Sequence, residues 1–228
     1  MPFAVVPMLV PDISSVYDVY FEAFKNAQIM EFLFPGGIDR QAHKHGTTLW
    51  LHHDQNGYTI KCVDSDSGTV VGMAQYEIFW RPGKDTLWKK PKGAEWLKGD
   101  KRKKAETVLI PNWTMRDKLF GGRRHVYCVT MATHPKYQRK GIGRLLLQWG
   151  IDVAEQLGLP MYLESSDAGL PLFEKAGFEM LADEKLVYKA SATGQKADKE
   201  VPVMVKLPSK ANGLSFRDWA DKGYPESY

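Results

Sequence analysis

The sequence predicts a single α/β (α+β) domain whose mixed, mostly antiparallel sheet is flanked by helices. Three observations carry that reading. Apolar residues recur at three- and four-residue spacing in several segments, as a helix with one buried face requires. Runs rich in β-branched and aromatic residues lie between them, two of them joined as a hairpin. One such run, 125–133, passes through a glycine-containing loop straight into a long amphipathic segment.

In chain order, Val16, Val19, Tyr20, Ala23 and Phe24 mark a first helix over 12–34, with Asp12 or Ser14 as N-cap and Phe34-Pro35-Gly36-Gly37 as its stop. A second helix is expected over about 40–53. Tyr58–Asp64 and Thr69–Trp80 form the hairpin, separated by Ser65-Asp66-Ser67-Gly68. Residues 81–122 read as an insertion rich in Lys, Pro and Gly and punctuated by Trp88, Trp96 and Trp113, a lid or arm with helical pieces near 101–106 and 112–119. His125–Thr133 is a strand. The helix after it carries Ile142, Leu145, Leu146, Trp149, Val153 and Leu157 as its buried stripe and ends at Gly158. Met161–Glu164 is a short strand, followed by a helix through Ala176 capped by Ser165, Ser166 or Asp167. Phe178–Leu181, Leu186–Lys189 and Val201–Leu207 are strand-like, with Ser191–Lys199 as linker. The tail, 208–228, shows no clear period.

Composition bounds the function. The chain has 228 residues, 43% hydrophobic and 25% charged, which suits a soluble globular protein with one large core or at most two small ones. No stretch approaches the roughly 20 apolar residues of a membrane span. The start, with Pro2 and Pro7 and no basic region, does not read as a signal peptide. Cys62 and Cys128 lie in apolar strand runs and make no metal spacing and no disulfide framework, so a cytoplasmic protein is expected, with a nuclear fraction allowed. The net charge of +4 is uneven: 81–104 holds ten Lys/Arg against three acids, which is +7 and leaves −3 for the rest.

The strand–loop–helix around Gln138-Arg139-Lys140-Gly141-Ile142-Gly143 carries the chemistry. Amides at a helix N-terminus lack intrahelical partners, and the helix dipole adds partial positive charge there, so the turn suits a phosphate. Gly141 and Gly143 allow close approach, while Arg139, Lys140 and Arg144 add charge. The spacing is neither that of the Walker loop nor that of the three-glycine dinucleotide fingerprint.

Met131-Ala132-Thr133-His134-Pro135-Lys136-Tyr137-Gln138-Arg139-Lys140-Gly141-Ile142-Gly143 resembles motif A of the GCN5-related N-acetyltransferase (GNAT) superfamily, and Pro171-Leu172-Phe173-Glu174-Lys175-Ala176-Gly177-Phe178 resembles its motif B. The likeness covers roughly 8–207 and is tight over 125–180. Within the superfamily it looks like the small acetyltransferases of filamentous fungi. The resemblance implies acetyl-CoA (coenzyme A) as cofactor and a sheet with splayed strands. It places the pantetheine arm along Met131, Ala132 and Thr133, and the pyrophosphate on Gln138 and the loop amides from Arg139 to Arg144. It sets Ser165, Ser166 and Phe173 beside the thiol. A backbone N–H near Met131 would hold the developing oxyanion.

The acceptor amine must lose a proton before it attacks, since a lysine-like amine has a pKa of about 10.4. The resemblance puts Tyr127 where the histone-acetylating branch has its glutamate base. Glu77 and Glu164 are the acidic candidates that remain, with His125 and His134 behind them. Motif B has Phe173 where relatives carry a Tyr that protonates the leaving thiolate, which leaves water, Ser166 or Tyr127 for that task. Cys128 faces away from Tyr127 and is structural. His43, His45, His52 and His53 have no carboxylate or cysteine partner and make a solvated helix face, so no metal is expected.

Three functions fit these features: acetyl transfer to a small primary amine, acetylation of a protein lysine or N-terminus, and, outside catalysis, a coenzyme A- or nucleic-acid-binding module using the basic arm. A small-molecule amine acceptor, no membrane, no nucleic acid, and a monomer or homodimer are the partners expected.

Overall fold

A computed structural model describes residues 2–81 and 87–225. Lys84 and Asp85, counted in the basic segment, and the last three residues of the tail lie outside the described residues. In chain order the strands and helices are β1 (Phe3–Pro7), α1 (Ile13–Phe24), α2 (Met30–Leu33), α3 (Arg40–His53), β2 (Gly57–Asp64), β3 (Val70–Phe79), α4 (Gly99–Phe120), β4 (His125–Thr133), α5 (Ile142–Leu157), β5 (Met161–Glu164), α6 (Leu170–Lys175), β6 (Glu179–Met180), β7 (Leu186–Tyr188), α7 (Ala190–Thr193), β8 (Lys199–Val201), β9 (Val203–Lys206) and α8 (Phe216–Asp221). Every strand pair whose register is defined is antiparallel: β1 with β2, β2 with β3, β5 with β9, β6 with β9, and β7 with β8. The expected α/β class with mostly antiparallel strands and flanking helices is borne out.

The chain divides into two compact units. The first comprises 1–26, 38–78 and 126–157. There β1, β2, β3 and β4 lie in that order, and α5 packs on β1 and β2. The hairpin forms where expected, with Gly57 opposite Glu77 and Val63 opposite Val70. β1 escaped the sequence reading because five residues carry too little alternation to separate from a loop. The expected 12–34 helix is broken after Phe24, since 25–29 turn before α2 begins. Asp12 caps by another route than expected. Its carboxylate accepts from the Leu9 amide at 2.9 Å and pairs with Lys61 at 2.6 Å, which holds the acid below its usual range. α3 starts on Asp39, whose Oδ1 accepts from the Gln41 and Ala42 amides at 3.0 and 2.9 Å.

The second unit comprises 27–37, 79–125 and 158–228, with β5, β9 and β6 side by side and β7–β8 as a separate ribbon. Its core gathers on Phe120, fully buried, whose ring meets His125 at 4.4 Å, Tyr162 at 5.4 Å and Phe216 at 5.9 Å. Aromatic pairs of this kind add about 0.5–1.5 kcal/mol each beyond burial. The separate helical pieces expected at 101–106 and 112–119 are one 22-residue helix, α4. Pro111 has no N–H for the Thr107 carbonyl and its ring crowds that turn, yet the helix continues because Ala105, Val108, Met115, Leu119 and Phe120 bury one face along its length. The last expected strand is two, β8 and β9, interrupted at Pro202, and the tail without period holds α8, opened by a Ser215–Asp218 capping box.

Candidate active site

In the first unit β4 presents two faces. Val126, Cys128 and Ala132 are buried, while Tyr127, Val129 and Met131 are half-buried, as strand alternation predicts. Cys128 sits beside the buried Tyr76, as a core residue. Burial pushes the Cys62 thiol up to about 11, so it stays protonated. Thr133 leads into a 3₁₀ turn, Pro135–Tyr137, which His134 caps by accepting the Lys136 amide at 3.3 Å.

The loop that follows departs from ordinary backbone. Arg139 has φ +63° and Gly141 φ +86°. No heavy atom lies within 4 Å of a Cβ built on Gly141, so glycine is required there by conformation rather than by space. Leu145 is the first amide of α5 to bond back, to the Gly141 carbonyl at 3.1 Å. The amides ahead of it are therefore the orphan donors of the helix end. Gln138, Arg139, Lys140, Gly141 and Arg144 are exposed, Gly143 is half-buried, and Ile142 is buried. The Lys140 ammonium stands 4.9 Å over the Tyr137 ring.

Ile142 fixes where this turn sits. A Cβ on Gly72 of β3 would stand 2.6 Å from Ile142 Cγ2 and 3.0 Å from Leu146 Cδ1, so α5 rests directly on bare strand backbone. Farther along, Tyr76 packs under Gly150 and donates its hydroxyl to the Leu146 carbonyl at 2.9 Å. The buried stripe of α5 is Ile142, Leu146, Leu147, Gly150, Ile151 and Ala154. Leu145, Trp149 and Val153, which the spacing had included, are half-buried, and Leu157 is exposed. The larger side chains drew the stripe toward themselves, whereas Gly150 marks the face that comes closest to the sheet.

In the second unit Glu164 ends β5, half-buried, and its Oε1 accepts the Tyr162 hydroxyl at 2.6 Å. Tyr188 lies near enough for that carboxylate, together with burial, to hold the phenol protonated, and it donates to Asn112 Oδ1 at 2.7 Å. Sequence reading missed Tyr162, Tyr188 and Asn112; the only signal was the i, i+2 spacing of Tyr162 and Glu164. Ser165 is buried and donates to the Ser166 carbonyl at 2.8 Å, while Ser166 Oγ accepts the Gly169 amide at 3.2 Å and shapes the turn into α6. Phe173 is buried against Phe178, ring to ring at 5.8 Å. Glu77, on β3 in the first unit, is half-buried opposite Gly57.

His125, a reserve base in the sequence reading, does not serve. It is fully buried between the rings of Phe79 and Phe120. Its Nδ1–H donates to the Arg123 carbonyl at 2.7 Å and its Nε2 accepts from Arg116 Nε at 2.9 Å. Burial, reinforced by the Arg116 cation, keeps it neutral far below the usual imidazole range. On α3, His43 packs on the rings of Tyr17 and Phe21 at 4.3 and 5.1 Å instead of joining its neighbours.

The chain belongs to the acetyltransferase (GNAT) family, whose sequence pattern matches residues 15–178. It is an acyltransferase. It is 40% identical over 144 residues to the "Probable acyltransferase SID5" of the fungus Ajellomyces capsulatus, which covers 63% of this chain and 98% of that protein. The fold is shared with mosquito arylalkylamine N-acetyltransferase like 5b, at 15% identity and TM-score 0.62 over 90% of this chain and 100% of that one. It is shared also with yncA of Salmonella typhimurium, solved with its cofactor acetyl-CoA, at 17% identity and TM-score 0.54 over 90% and 93%. Among the described residues no helix is long and apolar enough to cross a membrane.

Proposed function

We propose that the protein transfers the acetyl group of acetyl-CoA to a primary amine of a small molecule, by direct attack in a ternary complex. The observation that carries this reading is the β4-to-α5 turn, where positive-φ backbone at Arg139 and Gly141 precedes a helix whose first bonded amide is Leu145. The amides from Arg139 to Arg144, with Gln138 and the charges of Arg139, Lys140 and Arg144, take the diphosphate. The backbone of Met131, Ala132 and Thr133 pairs with the pantetheine arm, and Ser165, Ser166 and Phe173 line the thiol end. Residues 1–228 are read as a single N-acetyltransferase domain, with 81–122 as a lid or arm and 208–228 as a tail, in a cytoplasmic monomer or homodimer.

In the reaction the ammonium gives a proton to a carboxylate, Glu164 in preference to Glu77, because the Tyr162 hydroxyl fixes the Glu164 carboxylate's orientation. The neutral nitrogen attacks the thioester carbonyl, forming the C–N bond. The oxyanion that develops is held by the amide near Met131. Collapse breaks the C–S bond, the nitrogen loses its second proton to water, and the departing coenzyme A thiolate takes a proton from Tyr127, Ser166 or water. An assay of thiol release from acetyl-CoA across small amines, peptides and acidic proteins tests the reading. Turnover with small amines is expected, and turnover confined to peptides or proteins would move the acceptor to another class.

A further inference from the structure

The second unit holds a cleft that the acetyl-transfer reading does not use. It has a volume of about 150 Å3 and is walled by Arg123, Arg124, Leu159, Pro160, Trp219 and Tyr224. A cavity of about that size holds a benzene-sized molecule. Arg123 and Arg124 precede β4 in the chain, and the turn at 138–144 follows it. Trp219, Tyr224 and Pro225 of its wall come from the tail, beyond the residues shared with the family pattern.

The cleft is built rather than incidental. After α8, Gly223 and Tyr224 both take positive φ, +78° and +59°. For Tyr224 that conformation is disfavoured by about 1–2 kcal/mol and must be held by its surroundings. The Tyr224 amide bonds back to the Trp219 carbonyl at 3.0 Å, and its ring meets that of Trp219 edge-on at 5.0 Å. Trp219 Nε1 donates to the Pro225 carbonyl at 3.1 Å, which satisfies the indole, and its ring is buried in the wall of the cleft. The Arg123 guanidinium lies 3.6 Å over the Tyr224 ring, and its Nη1 donates to the Phe120 carbonyl at 2.9 Å. A guanidinium has five N–H donors, so Arg123 keeps donors in hand. Among the described residues no carboxylate pairs with it. A flat cation fixed by stacking and one backbone bond is preorganised for a planar oxyanion. Leu159, Pro160 and Trp219 beside it suit an apolar body.

We propose that this cleft binds a small organic carboxylate, its oxygens on Arg123 and its apolar or aromatic body against Leu159, Pro160 and Trp219, separate from the acetyl-CoA site. Calorimetric titration of the full chain with benzoate, its uncharged analogue benzamide, and inorganic phosphate tests this without any mutation. One saturating benzoate per chain is expected, at least tenfold tighter than benzamide and tenfold tighter than phosphate. Equal binding of benzoate and benzamide would remove the role of charge. Phosphate as tight as benzoate would remove the apolar body, and no saturable benzoate binding would overturn the site. Arg123→Gln should weaken benzoate at least tenfold and leave acetyl-CoA affinity within twofold. Unchanged benzoate affinity in that variant, with its melting curve intact, would contradict the assignment.

Discussion

The turn between β4 and α5 and the helix α4 carry comparable positive charge and use it in opposite ways. In the turn, Arg139, Lys140 and Arg144 are exposed around free amides, so charge and backbone offer themselves to a ligand. In α4 the exposed lysines are surface decoration. Lys103 and Asp100, both largely in solvent, form the kind of ion pair that contributes little. The cation that matters there is Arg116, 3% exposed, stacked between Phe79 and Trp88 at 5.0 and 4.5 Å and bonded to His125. Charge alone therefore does not reveal a binding surface; backbone left without partners does.

The contrast can be broken in several ways. The largest effect is expected at Gly143→Trp, which puts an indole at the first turn of α5. Acetyl-CoA affinity should fall more than a hundredfold, equivalent to about 3 kcal/mol or two charge-assisted hydrogen bonds, while the melting temperature holds. Unchanged affinity in calorimetry would return the turn to a merely structural role. Arg116→Ala should do the reverse: stability drops by about 3 kcal/mol, since a buried acceptor loses its donor and two rings lose their filling, while acetyl-CoA affinity of the folded protein persists. Urea unfolding measures it, and Lys103→Ala serves as the silent control.

The same cluster predicts a pH dependence. Folded His125 is held neutral, with its pKa far below the unfolded value near 6.5. Below about pH 6.5 the unfolded chain binds a proton that the folded chain refuses, so stability falls as pH falls. His125→Gln should flatten urea midpoints measured between pH 7.5 and 5.5, and an unaltered slope would show that other groups govern it. The smallest effects concern proton transfer. Tyr127→Phe should lower kcat about tenfold with KM for acetyl-CoA nearly constant, whereas Glu164→Gln should lower kcat more than Glu77→Gln does. Steady-state kinetics with one amine settles the order.

The turn between β4 and α5 was legible in the sequence because its determinants are local: glycine at a positive-φ position, basic residues, and a strand running into an amphipathic helix. β4 and β5 were placed to the residue for the same reason, since apolar runs bounded by turn signals need no tertiary information. What stayed hidden depends on contacts distant in sequence. Nothing near Gly72 announces that α5 will lie on it. His125 reads as a candidate base until Arg116, Phe79 and Phe120 surround it. Within 81–122 lysines dominate the count, so the sequence suggested two helical pieces where the buried face of Ala105, Val108, Met115 and Leu119 runs through one helix. Tyr188 and Asn112, 76 positions apart, could meet only in the folded chain.

A crystal structure of the chain with coenzyme A tests the central claim most directly. The diphosphate oxygens should lie about 2.7–3.2 Å from amide nitrogens between Arg139 and Arg144. Coenzyme A bound elsewhere, with those amides facing only solvent, would contradict it.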